Sequence, residues 1–192
     1  MKKKVIALVL VCVLVFGVAV GGTLAYLMQK TETVTNTFTT SDVSIKLTEN
    51  GEEITSSVSK SFKMVPGVPI DKNVDVTALK NSEACYLFVK IEESANFSAY
   101  FDTYTVNSAW TKVEGTENVY YCKVDANGAD GTLTEDVKKD VIESVTVKTT
   151  VKKADMTTAK NNVPTLSFTA YGIQQAGFAD AAAAWAEAEK LD

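Results

Sequence analysis

The chain has 192 residues, enough for one domain of ordinary size beside a short processing segment. All 19 of its basic residues are Lys, His is absent, and the formal net charge is −5. An acidic chain without Arg lacks the forked donor that grips phosphate and guanine, which excludes nucleic acid as a partner. The missing His removes Ser-His-Asp, Cys-His and HExxH chemistry together.

The chain opens on Lys2, Lys3 and Lys4, followed by an uncharged apolar run from Val5 to Val20. This is the layout of a secretory signal peptide. Thr23 and Ala25 supply the small residues that a signal peptidase needs, so cleavage is expected between Ala25 and Tyr26. Residues 1–25 form the leader, and 26–192 form a single mature domain. Contact with a membrane is expected only through the uncleaved precursor, whose apolar run approaches the roughly 20 residues of a span. Loss of the three leader lysines leaves the mature chain still more acidic.

Beyond the leader, Thr, Val and Ser are frequent and apolar residues fall at alternate positions, the pattern of strands. Val34 to Thr39 is the first candidate strand. Val43, Ile45 and Leu47 alternate with polar residues in the next, before an Asn50-Gly51 turn. Ser57 to Met64 follows, then the Pro66-Gly67 turn. Val74, Val76 and Ala78 then alternate with Asn73, Asp75 and Thr77 as a half-buried strand. Tyr86-Leu87-Phe88-Val89 is apolar on both faces, so a central strand covered on both sides is expected there.

Asn118 to Val124, Ile142 to Val151 and Thr165 to Gln175 complete the strands, with a helical turn expected over Leu133 to Lys139. Many short strands imply an all-β fold, a jelly-roll-like antiparallel β-sandwich. A short C-terminal helix is expected over 177–191, because Phe178, Ala181, Ala182 and Trp185 share one helical face. Its expected role is to cover an open end of the sheets.

Little in this composition supports catalysis. Glu92 and Glu93 are adjacent on a strand and face opposite ways, which makes them a poor acid pair. Asp125, Asn127 and Asp130 are a weak calcium candidate, since hard cations take turn oxygens, but their spacing departs from known loops. A plain Asn-Gly turn is the simpler reading, so no metal and no cofactor is expected. Cys85 and Cys122 lie in two predicted strands and are either a disulfide of an exported chain or two separate buried thiols. Tyr100, Phe101, Tyr104, Trp110, Tyr120 and Tyr121 suit either glycan stacking or the core, and in a sandwich the core is the usual place.

Four stretches carry a resemblance. They are the leader through Tyr26 with Val34-Thr35-Asn36-Thr37-Phe38-Thr39; Val65-Pro66-Gly67 with the strands as far as Ile91; Tyr120-Tyr121-Cys122-Lys123-Val124; and Ala170 to Phe178 with Trp185. Together they resemble the TasA/camelysin-like proteins of Gram-positive bacteria, whose leaders are processed by a SipW-type signal peptidase. The resemblance implies a secreted protein of the cell surface or biofilm matrix, with self-association or related matrix proteins as partners. It further implies fibres in which an N-terminal strand, here 26–38 with Val34, Asn36 and Phe38, completes the sheet of the next subunit. The alternative is a non-polymerising surface module for glycan or a host ligand. The zinc chemistry ascribed to camelysin-like proteases does not carry over to a chain without His.

Overall fold

The computed structural model describes residues 42–56 and 60–191. The leader, the Ala25–Tyr26 cleavage site and the segment with Val34, Asn36 and Phe38 lie outside them. In chain order the described residues form β1 (Ile45–Glu49), β2 (Glu52–Glu53), β3 (Pro69–Ala78), β4 (Cys85–Glu93), α1 (Phe97–Tyr100), β5 (Thr111–Lys112) and β6 (Val119–Val124). Then come β7 (Val137–Thr146), α2 (Lys153–Asn161), β8 (Leu166–Gln174) and α3 (Ala181–Ala188). The fold is all-β and sandwich-like: one four-stranded sheet runs β2-β1-β3-β7, the other β5-β6-β4-β8. Every strand pairing is antiparallel.

Local chemistry accounts for the turns. Asn50 and Gly51 have φ of 53° and 79°, the left-handed pair that closes a two-residue hairpin between Glu49 and Glu52. At the second turn Val68 N–H donates to Val65 C=O at 3.0 Å, and Gly67 takes the positive φ of 76° that follows a proline in a type II turn.

The core lies between the sheets. Val74, Val76 and Ala78 of β3 and Val141 and Val145 of β7 meet Cys85, Leu87, Val89 and Ile91 of β4 and Cys122 and Val124 of β6. Gly172 of β8 allows β1 to close over it, since a Cβ there would stand 2.6 Å from Ile45 Cγ2. The central-strand expectation for β4 is met: Tyr86 and Phe88, on the opposite face, belong to a second apolar cluster under α3.

Several expectations give way. Residues 60–64 form no strand, and residues 57–59 are not among those described. No helical turn precedes β7, which starts at Val137; Leu133 is drawn into the core and Asp136 Oδ1 instead accepts from Lys80 N–H at 2.9 Å. β7 ends at Thr146 rather than Val151, and α2 follows where no helix was expected. That helix buries only Ala159, so its sequence carries almost no apolar period. The helix expected over 177–191 starts at Ala181, where Asp180 Oδ1 accepts from Ala183 N–H at 2.8 Å, and a 3-10 turn spans Glu189–Leu191. It buries Ala181, Ala184, Trp185 and Ala188 but not Ala182, and covers the outer face of the second sheet rather than an open end. The Trp185 ring lies tilted 5.4 Å from Phe88 and edge-to-face 5.1 Å from Tyr171.

Candidate functional site

Two four-stranded sheets have four edges, and each edge is a row of backbone donors and acceptors that another chain can pair with. Two are too short to serve: β2 is Glu52–Glu53 and β5 is Thr111–Lys112. The third, β7, is long but occupied by the segment that follows α1. Asp102 N–H donates to Thr146 C=O at 2.9 Å, Asn107 N–H to Val141 C=O at 2.8 Å, and Trp110 Nε1–H to Asp140 C=O at 2.8 Å.

The fourth edge is β8, nine residues long and paired on one side with β4 along its whole length. Ser94 N–H donates to Thr165 C=O at 3.0 Å and Gln175 N–H to Ala84 C=O at 2.8 Å. Antiparallel ladders alternate, so the odd-numbered residues of β8 bond β4, and Leu166, Phe168, Ala170, Gly172 and Gln174 turn their backbone groups to the edge. Among the described residues no strand pairs with that edge. Its sequence, Leu-Ser-Phe-Thr-Ala-Tyr-Gly-Ile-Gln, holds no charge and no proline, the two devices that usually discourage strand addition.

The predicted site residues that are described do not converge on a metal or a bridge. Asp125 Oδ1 sits 2.9 Å from Lys123 Nζ. Asn127 Oδ1 accepts from Thr134 N–H at 2.9 Å, and Asp130 Oδ1 accepts from Thr132 N–H at 3.1 Å and from its hydroxyl at 2.9 Å. Asn127 and Asp130 thus brace their own loop, and Asp125 pairs with a lysine of β6. Among the described residues no group of three or more acidic, His or Cys side chains could hold a metal ion.

Cys85 and Cys122 are free and buried. The register sets Cys85 opposite Val124 and Cys122 opposite Leu87, so the thiols lie on a diagonal of the core face rather than side by side. Burial above all, with Cys122 beside it, pushes the Cys85 thiol up to about 11, and burial raises Cys122 as well. Tyr100, Phe101 and Trp110 are in the core, while Tyr104 and Tyr120 are half-buried against it. Glu92 and Glu93 are exposed at the end of β4.

One charged arrangement gave no signal in the sequence. Asp75, expected on the polar face of β3, is 2 % exposed, and the register places it between Thr48 of β1 and Asp140 of β7. Lys138 Nζ stands 3.1 Å from Asp75 Oδ2 and 3.0 Å from Asp140 Oδ1, and Thr48 Oγ1 donates to Asp75 Oδ2 at 3.2 Å. Burial, then a hydrogen bond shared with Asp140, holds Asp75 above the usual carboxylate range. The bond with Asp75 and the Lys138 ammonium hold Asp140 below it. Strand β3 is thus buried on both faces from Val74 to Ala78, where alternation alone predicts burial on one.

No known protein family, curated protein or solved structure matches the chain.

Proposed function

We propose that this is a secreted structural protein of the cell surface or extracellular matrix whose subunits assemble by strand addition, with segment 26–38 of one copy laid along β8 of the next. The observation that carries this reading is the β8 edge, uncharged, free of proline and unpaired on its outer side among the described residues. Val34, Asn36 and Phe38 alternate with three Thr in an equally uncharged stretch, which suits it to extend such an edge. Each new backbone hydrogen bond contributes roughly 0.5–1.5 kcal/mol, so a short strand can hold two subunits together. Leader removal by a SipW-type signal peptidase would free Tyr26 outside the cell and start assembly there.

Within this proposal the sandwich is of the jelly-roll-like kind. The crossings of the chain from one sheet to the other between β3 and β4, β6 and β7, and β7 and β8 support that reading. No catalytic role is assigned.

Electron microscopy and light scattering on protein beginning at Tyr26, beside protein lacking 26–38, test the proposal. Fibres from the longer protein alone are the expected outcome. Monodisperse monomers from both, across concentration and pH, would overturn it and leave a non-polymerising module for glycan or a host ligand.

A further inference from the structure

At one end of the sandwich a cleft of about 390 Å³ opens between the inner face of the second sheet and the segment leading from α1 to β5. Ile91 and Glu93 of β4, Asn118 and Tyr120 at the start of β6, Tyr104 and Glu117 line it. Alternation explains the grouping. Ile91 belongs to the inward-facing set of β4 and Tyr120 packs against the same core, so Glu93 and Asn118, two positions further along, fall on the same side at the mouth.

The lining has an unusual balance of hydrogen-bonding groups. Glu93 and Glu117 are exposed carboxylates that accept only, and among the described residues neither is ion-paired. No Lys lines the cleft. Lys90 falls on the opposite face of β4 from Ile91 and stands 3.7 Å from Glu92. Burial, then the Glu93 carboxylate, holds the Tyr104 hydroxyl far above the usual phenol range, so it stays a neutral donor turned to Glu93. Two half-buried tyrosines, Tyr104 and Tyr120, stand with these two carboxylates in the lining.

We propose that this cleft binds a primary ammonium group on a flexible alkyl stem. An ammonium carries three donors and no acceptor, the complement of a lining that holds two carboxylates and no cation. Its charge is drawn by the two carboxylates, and its methylene stem suits the half-buried tyrosine rings beside them. A neutral sugar presents as many acceptors as donors, and here would meet the Asn118 amide and few other donors. Two sources share the chemistry: a lysine side chain of a protein, and a free diamine.

Titration of the purified protein with cadaverine, followed by calorimetry and tyrosine fluorescence, tests the assignment, with pentanol as the uncharged control and Nα-acetyl-lysine amide as the protein-lysine probe. Saturable binding of an amine is expected, weakened about tenfold by Glu93→Gln and about tenfold by Glu117→Gln, and weakened further by added salt. Both glutamates are exposed, so neither variant threatens the fold. If the lysine amide binds as well as cadaverine, the occupant is a protein lysine. If cadaverine alone binds, it is a free polyamine. Absence of saturable amine binding, amine binding undiminished in both Gln variants, or binding of pentanol as tight as that of cadaverine would each overturn the proposal.

Discussion

The long edges of the two sheets, β7 and β8, meet the same problem in opposite ways. Along β7 the residues between α1 and β5 take up strand carbonyls at Val141, Asp140 and Thr146. Charges also mark that strand, with Lys138, Lys139, Asp140 and Glu143 in its sequence. Along β8 no such residue occurs, and among the described residues nothing pairs with the outer side. Among the described residues three edges are blunted and the fourth is long and uncharged, the construction that strand addition needs. The difference teaches that, among the described residues, the two long edges are treated unequally, which is why the proposed function rests on β8.

The sharpest way to break that comparison is Ala170→Pro, which removes an N–H that points to the open edge and leaves the ladder to β4 in place. Fibre formation by protein beginning at Tyr26 is expected to disappear. Thr169→Lys, an exposed change, should reduce it by placing a charge on the edge strand. Normal fibres from both variants would remove β8 as the acceptor.

A smaller effect is expected at the occupied edge. Trp110 is buried and its Nε1–H serves Asp140 C=O, so Trp110→Phe keeps most of the apolar bulk and orphans a strand carbonyl. A loss of about 1–3 kcal/mol in urea unfolding is expected, with greater aggregation as the β7 edge opens. An unchanged midpoint would show that the indole bond does not hold the segment on β7.

The pH dependence separates the sheets more gently. Asp75 is held above its ordinary value, so the folded state keeps that proton more tightly than the unfolded chain does. The stability it contributes is full below the ordinary carboxylate value and is lost as pH rises through the raised one. Asp140, held low, works in the opposite sense, contributing above the ordinary value and losing that contribution as pH falls through the lowered one. Asp75→Asn is therefore expected to flatten the decline in stability from acidic pH upward, as urea midpoints across pH would record. A decline of the same slope in the variant would assign it to other groups.

The smallest effect concerns the second sheet's thiols. With Cys85 raised to about 11 and both side chains buried, neither should react with a thiol reagent at neutral pH until the protein unfolds. Rapid labelling of the native protein would show that β4 and β6 open readily.

Much of the sheet framework is legible in the sequence, because its signals are local. Alternation placed β1 and β3, β-rich composition between turns placed β6 and β8, the double-faced apolar run marked β4 as central, and Asn-Gly and Pro-Gly located two turns. These depend on neighbours one to four residues apart. The helix α2 was missed because a helix that buries one alanine leaves no period to read.

What only the tertiary structure decided are the relations across long sequence separation. Register made Asp75 a buried partner of Lys138 and Asp140 and set Cys85 and Cys122 on a diagonal, and packing of the segment after α1 brought Tyr104 beside Glu93. The docking of Asn107 and Trp110 on β7, far along the chain, determined that this edge is occupied. A strand's own residues specify its pleat and its faces; which strand lies beside it is set by packing of the whole core, and that choice carries no local mark.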